Sequence, residues 1–271
     1  MHDTLSGQAR TPRFWPATLL ILALSLPLAL PAFGQAEAPT LRDAWLQQET
    51  QPPAGYAFMR HRDDVVAQTR QGRELEAELA IVAQQAAMQG NLAWAHALGA
   101  WRQGVAAYHQ QPDQARTPGR ADITALVANP RHDPPLTSLA SYGACQPPSW
   151  VEVWHAGGVS RVAYRPELTV SQALREASDG EASRHSDTAW RITPLGQVDE
   201  VGIAAWNHQE VEITPGSRLV QRLPLPLDGF AQDASALGAA WIDTTLPHYL
   251  ATRLPGDRCT LYSATLPTSD R

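Results

Sequence analysis

Two neighbouring segments with helical periodicity, separated by one short break, constrain the fold more than any other feature of the sequence. Between residues 63 and 111, apolar side chains recur every three or four residues, as on one face of an α-helix. Gly90 and Asn91 interrupt the pattern, and Asn91 is a suitable N-cap for a second helix. The two faces carry Leu75, Leu79, Val82 and Ala86, then Trp94, Leu98, Trp101, Val105 and Tyr108. The pattern predicts a helical hairpin over residues 63–111, with the aromatic residues in its core.

From Trp150 onward the pattern changes to short alternating segments separated by turn residues. A strand at 150–155 is followed by a Gly157-Gly158 turn and a second strand near 161–164. Residues 169–178 have helical periodicity, and more strands are predicted at 188–193, 198–204 and 217–223. This order of a hairpin, a helix and further strands is that of a β-grasp domain. It also fits a ferredoxin-like or other small α+β sandwich, so the pattern leaves these folds open.

The remaining segments complete an α+β prediction. Residues 37–62 form a short N-terminal segment, and residues 112–149 are a connector rich in Pro and Gly without sustained periodicity. Residues 150–230 form the strand-rich domain. Residues 231–271 hold an amphipathic helix with apolar residues four apart at Ile242, Leu246, Leu250 and Leu254. Pro247 predicts that this helix starts near Leu246, since an interior proline removes a backbone donor.

The N-terminus has the pattern of a secretory signal peptide. Arg10 and Arg13 precede an apolar run from about residue 17 to 30, and Gly34-Gln35-Ala36 supplies small residues for cleavage after Ala36. An uncleaved single-pass anchor is the alternative, although a bilayer span needs about 20 apolar residues. Residues 1–36 are therefore predicted to direct export.

Export affects how the two cysteines are interpreted, and the net charge restricts the possible binding partners. In an oxidising compartment Cys145 and Cys259 either form a disulfide or remain two separate thiols, and the sequence leaves both open. The net charge of −6 and the absence of lysine argue against a nucleic-acid partner. The spacing of Cys and His predicts no metal site, and no cofactor motif is present.

Strand alternation gives one candidate ligand-binding surface. It places Trp150, Glu152 and Trp154 on one face of their strand, where two indoles beside a carboxylate suit sugar rings. The alternative is that this face packs against a helix. No catalytic signature is present, and we predict no catalytic residue.

Several short motifs resemble the GfcC capsule-biosynthesis family. They are Gly119-Arg120, Asn129-Pro130, Pro134-Pro135-Leu136, Ala156-Gly157-Gly158-Val159, Ala204-Ala205-Trp206-Asn207, Pro215-Gly216-Ser217 and Thr252-Arg253-Leu254-Pro255. The resemblance covers residues 41–255. It implies a periplasmic protein of capsule or exopolysaccharide assembly or export with an SLBB-like β-grasp domain. The family also has a first β-grasp domain before the hairpin, for which residues 37–62 are too few.

The resemblance also implies a role for Arg120 and for the terminal helix. Arg120 resembles a family arginine that lies in a cleft, where a guanidinium can bind an acidic sugar. The alternative is that Arg120 only pins the connector. The terminal helix resembles the outer-membrane helix of a polysaccharide-export translocon, which suggests contact with that membrane or with export proteins.

These observations lead to three functional hypotheses. The first is a non-enzymatic periplasmic accessory protein that binds glycan or a component of the export machinery. The second is an enzyme that modifies or trims the polysaccharide, with Arg120 orienting an acidic group. The third is an adaptor that binds other proteins and no sugar.

Overall fold

A computed structural model describes residues 38–48, 55–178, 186–223 and 234–264, which form an α+β structure. The predicted signal peptide lies outside these residues. The six α-helices described are α1 (Leu41–Gln47), α2 (Arg62–Met88), α3 (Leu92–His109), α4 (Ile123–Ala128), α5 (Val170–Ala177) and α6 (Ala234–Ala251). The eight strands described are β1 (Tyr56–His61), β2 (Leu139–Cys145), β3 (Trp150–His155), β4 (Gly158–Ala163), β5 (Thr188–Ile192), β6 (Val198–Gly202), β7 (Arg218–Gln221) and β8 (Cys259–Ser263).

The strand-rich region forms a five-stranded sheet with the order β4-β3-β7-β5-β6. Strands β3 and β7 pair in parallel, and the other neighbours are antiparallel. The first and last strands of the unit therefore lie side by side in the middle of the sheet, which is the arrangement of a β-grasp fold. Helix α5 covers one face, where Val151, Val153, Ala173 and Leu174 share a core. The predicted β-grasp domain is confirmed.

Helices α2 and α3 form the predicted hairpin. Gly90 ends the first helix with a φ of +78°, a left-handed conformation that glycine adopts without a steric penalty. The side chain of Asn91 then caps α3 by accepting a hydrogen bond from the backbone N–H of Trp94. The apolar faces of the hairpin pack against the second face of the β-grasp sheet and against α6.

Helix α6 differs from its prediction because it runs unbroken through Pro247. An interior proline costs a helix about 3 kcal/mol, and the burial of side chains on both sides of Pro247 offsets this cost. Ile242, Leu246, Tyr249 and Leu250 are all fully buried in the core shared with the hairpin. Within the described ranges no helix has the length and apolar character needed to cross a membrane.

A second sheet, of three strands in the order β1-β2-β8, was not predicted. Its strands come from the N-terminal segment, the connector and the C-terminal tail, so the connector is less irregular than expected. Strand β2 has no β-branched residue and therefore has little strand propensity of its own. Helices α1 and α4 pack against this sheet through Trp45, Leu126, Leu139 and Tyr142, among others. Before the hairpin, the described residues contribute only α1 and β1 to this layer.

Cys145 and Cys259 form a disulfide, one of the two alternatives left open by the sequence. They are directly opposed in the register of β2 and β8, with the Cα atoms 3.9 Å apart. The bond fixes the last strand to the three-stranded sheet and closes a loop with a sequence separation of 114 residues.

We expect replacement of both cysteines by serine to lower the free energy of unfolding by about 4–5 kcal/mol, because a crosslink over a long loop restricts the unfolded chain. Urea unfolding of the variant and of the wild type, each with and without reductant, measures the difference. Reductant should lower the midpoint of the wild type and leave the variant unchanged. Equal midpoints for all four samples would contradict the prediction.

Candidate functional site

A cavity of about 430 Å³ lies between α3, the β3–β4 hairpin and the segment that follows α6. We call it the Trp150 cavity. Trp150, Glu152 and Trp154, three of the four predicted ligand-binding residues, line it together. Its other polar side chains are those of Tyr108, Gln111, Gln114, Arg161, Arg218 and Asp257. The volume is within the usual range of small-molecule sites.

The predicted alternation along β3 is confirmed, and it divides the two tryptophans between two roles. Val151 and Val153 face α5, whereas Trp154 belongs to the core beneath the helical hairpin. Trp154 is fully buried, and its ring contacts the edge of Trp101 at a centroid distance of 6.0 Å. Trp150 is only partly buried and lies at the mouth of the cavity. The face is thus packed against a helix at one end and accessible at the other.

A buried hydrogen-bonded cluster forms the floor of the cavity. The hydroxyl of Tyr108 donates to both carboxylate oxygens of Glu152, at 2.9 and 2.8 Å. The indole N–H of Trp154 donates to Glu152 Oε1 at 2.9 Å, and Arg218 Nε donates to the same oxygen at 3.2 Å. Burial raises the pKa of Tyr108 well above its ordinary value, so the hydroxyl keeps its proton and remains a donor.

Arg218 also binds the end of α6. Its Nη2 donates to the carbonyl of Leu254 at 2.7 Å, and Nη1 approaches the carbonyls of Leu250 and Arg253 at 3.4 Å. A second buried arginine, Arg116, donates from Nε to the carbonyl of Ala251 at 3.2 Å. Leu250 and Ala251 belong to the last turn of α6, whose carbonyls carry partial negative charge and so favour a nearby cation, whereas Arg253 and Leu254 belong to the segment after the helix.

An ion pair closes the rim of the cavity. The guanidinium of Arg161 lies 3.9 Å from the ring centroid of Trp150. It donates two hydrogen bonds to Asp257, from Nη1 at 2.8 Å and from Nη2 at 3.1 Å. Both side chains are about half exposed, at 48% and 59%.

Arg120 does not line this cavity. Its side chain is 60% exposed and makes two hydrogen bonds with Asp122, from Nε at 2.9 Å and from Nη2 at 3.0 Å. Asp122 in turn caps α4 by accepting from the backbone N–H of Ala125. Arg120 therefore pairs with the side chain that caps α4, and its role in binding stays a prediction.

Sequence reasoning missed the polar partners of the predicted face. The register of the β3–β4 hairpin, with Glu152 opposite Arg161, follows from the Gly157-Gly158 turn and could have brought Arg161 to this face. Arg218 is also opposite Glu152, but across the parallel pairing of β3 with β7. Nothing local in the sequence signals that pairing. Among the residues described, no group of three His, Cys, Asp or Glu side chains could hold a metal ion.

Two of the motifs that resemble the GfcC family have structural roles. Gly216 has a φ of +81°, and a Cβ atom at this position would lie 2.4 Å from the carbonyl oxygen of Pro255. The Pro215-Gly216-Ser217 turn is thus in contact with the segment after α6, and only glycine fits there. The side chain of Asn207 bonds the backbone of Ala204 and Asp187 at 3.0 Å, which closes the loop after β6.

The fold and site define a β-grasp protein with a ligand-sized cavity beneath a helical hairpin. Residues 159–255 match the family model described as capsule biosynthesis GfcC C-terminal. The predicted resemblance to a GfcC-type protein is confirmed over this part of the chain, which includes Arg161, Arg218 and Leu254 of the cavity. Comparison with curated protein sequences gives no match.

We expect replacement of Arg218 by leucine to lower the free energy of unfolding by about 3–5 kcal/mol, because it leaves the carboxylate of Glu152 buried without its countercharge. Urea unfolding monitored by circular dichroism measures this loss. Arg165, whose ion pair with Glu176 is about half exposed, is the control. Its replacement by leucine should change stability by less than about 1 kcal/mol. Similar losses for the two variants would contradict a special role for the buried pair.

Two glycines of α3 provide a matched test of the contact with Trp154. A Cβ at Gly104 would lie 2.7 Å from the Trp154 ring, whereas a Cβ at Gly99 meets nothing within 4 Å. We expect Gly104→Ala to destabilise the protein by about 1–3 kcal/mol through overpacking. Gly99→Ala should stabilise it by about 0.5–1 kcal/mol, because alanine favours the helix. Thermal unfolding of both variants checks the opposite signs, and a shift in the same direction would refute the contact.

Proposed function

We propose that the protein is a periplasmic accessory protein of capsule or exopolysaccharide assembly that binds glycan in the Trp150 cavity without chemical turnover. The match of residues 159–255 to a capsule-biosynthesis family supports the biological setting. The signal-peptide pattern of residues 1–36 supports export to the periplasm.

The observation that carries the proposal is the chemistry of the cavity. A partly exposed indole, Trp150, lies beside amide, hydroxyl and carboxylate groups on a floor fixed by buried hydrogen bonds. A sugar ring has one apolar C–H face that packs on an aromatic ring and a rim of hydroxyls that require hydrogen-bonding partners. An apolar wall with a few positioned polar groups is the usual design of a small-molecule site.

The pairing of the two carboxylates in the cavity favours binding over hydrolysis. Glu152 is paired with Arg218 and Asp257 with Arg161. Glycoside hydrolysis by two carboxyl groups requires one of them to hold a proton that it gives to the leaving group. Two carboxylates that are each paired with an arginine suit recognition of a polymer better than its cleavage.

The proposal includes an export partner. Helix α6 buries most of its surface, but Leu237, Trp241, Thr244 and His248 form an exposed stripe along it. We propose this stripe as the place where a protein of the export machinery, or the outer membrane, contacts the chain.

Binding and turnover can be measured together with the polysaccharide isolated from the producing strain. Titration calorimetry should show saturable binding of its oligosaccharides, and chromatography should show no change in their size or substitution. We expect Trp150→Ala to weaken binding roughly tenfold, which is about 1.4 kcal/mol and within the range of one aromatic contact. The control is Trp206→Ala, because Trp206 is 76% exposed and outside the cavity.

Three outcomes would overturn the proposed function. Absence of binding to the wild type refutes glycan recognition, and equal weakening by the two tryptophan variants refutes the cavity as the site. A change in polymer size or substitution favours the enzymatic hypothesis. In cells, a deletion strain should lose surface polysaccharide and recover it with the Trp206→Ala protein but not with the Trp150→Ala protein at matched levels.

A further inference from the structure

The rim of the Trp150 cavity already contains a cation bound to a carboxylate. Arg161 lies on the Trp150 ring and makes a two-pronged contact with Asp257, with both pairs of atoms within 3.1 Å. This side-by-side geometry is the one in which arginine recognises any carboxylate, whether it belongs to the protein or to a ligand. Asp257 thus marks a place where a carboxylate is bound beside an aromatic wall.

The two arginines of the cavity differ in what they can offer to a ligand. Arg218 is 2% exposed, and each of its three guanidinium nitrogens already donates to Glu152, to Tyr108 or to a carbonyl at the end of α6. Arg161 is half exposed, and the acceptor that its guanidinium contacts within the described ranges is Asp257. Arg161 is therefore the cation of the cavity that can exchange its partner.

We propose that Arg161 binds the carboxylate of an acidic saccharide, such as a uronic-acid residue, and that Asp257 occupies this position in the free protein. The proposal rests on the proposed function, since it names the class of glycan that the same cavity takes. In the complex, the ligand carboxylate replaces Asp257 on Arg161, which stays on the Trp150 ring, and the sugar lies in the cavity beside these two side chains.

The exchange costs little, because an ion pair between half-exposed side chains contributes little to stability. A ligand carboxylate restores the hydrogen bonds that Asp257 gives up, so their number is unchanged. Asp257 lies two residues before Cys259, which the disulfide fixes to β2, and it therefore remains near the rim as a competitor. A neutral sugar has no group that replaces the carboxylate, and Asp257 keeps its place.

Substitution of the competitor gives the sharpest test. Asp257→Asn keeps the shape of the side chain but removes its charge, so Arg161 is more available to a ligand carboxylate. Arg161→Gln removes the cation. Asp199→Asn is the matched control, because Asp199 forms an ion pair of the same length, 2.8 Å, with Arg191 and lies outside the cavity. It changes the net charge of the protein by the same amount.

The probes are a glucuronic-acid-containing oligosaccharide and the neutral oligosaccharide made from it by carboxyl reduction. Calorimetry at low salt should show that the wild type binds the acidic form about tenfold more tightly, the gain expected of one charge-assisted contact. Asp257→Asn should increase the affinity for the acidic form about threefold or more and leave the neutral form unchanged. Asp199→Asn should change neither, and Arg161→Gln should abolish the preference for the acidic form.

The outcomes separate this inference from the proposed function. If both forms bind the wild type with equal affinity and Trp150→Ala weakens both, the cavity binds glycan and the acidic preference is refuted. The same refutation follows if Asp257→Asn and Asp199→Asn strengthen acidic binding equally, because the effect is then one of net charge. If neither form binds and the isolated polymer also fails to bind, both the inference and the proposed function are wrong.

Discussion

The contact between Arg218 and Glu152 holds together the parts of the molecule that form the cavity. Glu152 belongs to β3 and Arg218 to β7, and through them the pair reaches Tyr108 on the hairpin and the last carbonyls of α6. Two charges removed from water cost several kcal/mol each unless their remaining hydrogen-bonding groups are satisfied. Here the carboxylate accepts from three side chains and the guanidinium donates to backbone carbonyls, so the position of each element constrains the others. A floor fixed in this way can present the same polar atoms to every ligand.

Carbonyls at and just after the end of α6 help to accommodate two buried arginines. Arg116 and Arg218 bind carbonyls between residues 250 and 254, in the last turn of α6 and the segment after it. The carbonyls of that last turn carry the partial negative charge of the helix end. Burial lowers the pKa of Arg116, and the neighbouring positive charge of Arg218 lowers it further. The carbonyl groups at this end of the chain segment thus interact with both cations. The side chain of Leu254 packs in a separate small cluster with Phe58 and Cys145. The segment after α6 connects the β-grasp domain to the three-stranded sheet.

The sequence predicted the parts of this fold that depend on local pattern. Periodicity over residues 63–111 predicted the hairpin, Asn91 its cap, and alternation along β3 the face of Trp150 and Trp154. The three-stranded sheet was missed because its strands come from three distant segments and β2 has weak strand propensity. At the site, Glu152 was predicted but Arg218 was not. The two are neighbours through a parallel strand pairing, which no turn residue in the sequence indicates. The burial of Arg116, four residues before Arg120 in the same connector, was not predicted, because it depends on packing against the end of α6.

The way in which the three-stranded sheet is assembled affects when the chain can fold. Its central strand, β2, pairs with one strand that precedes the hairpin and with another near residue 260. Pairings between residues so far apart in sequence form slowly, because the intervening chain must first lose much of its freedom. Asp257 and Gly256, which complete the rim of the cavity, lie immediately before β8. The rim of the cavity is therefore held in place by a strand whose partner lies more than 100 residues earlier in the chain.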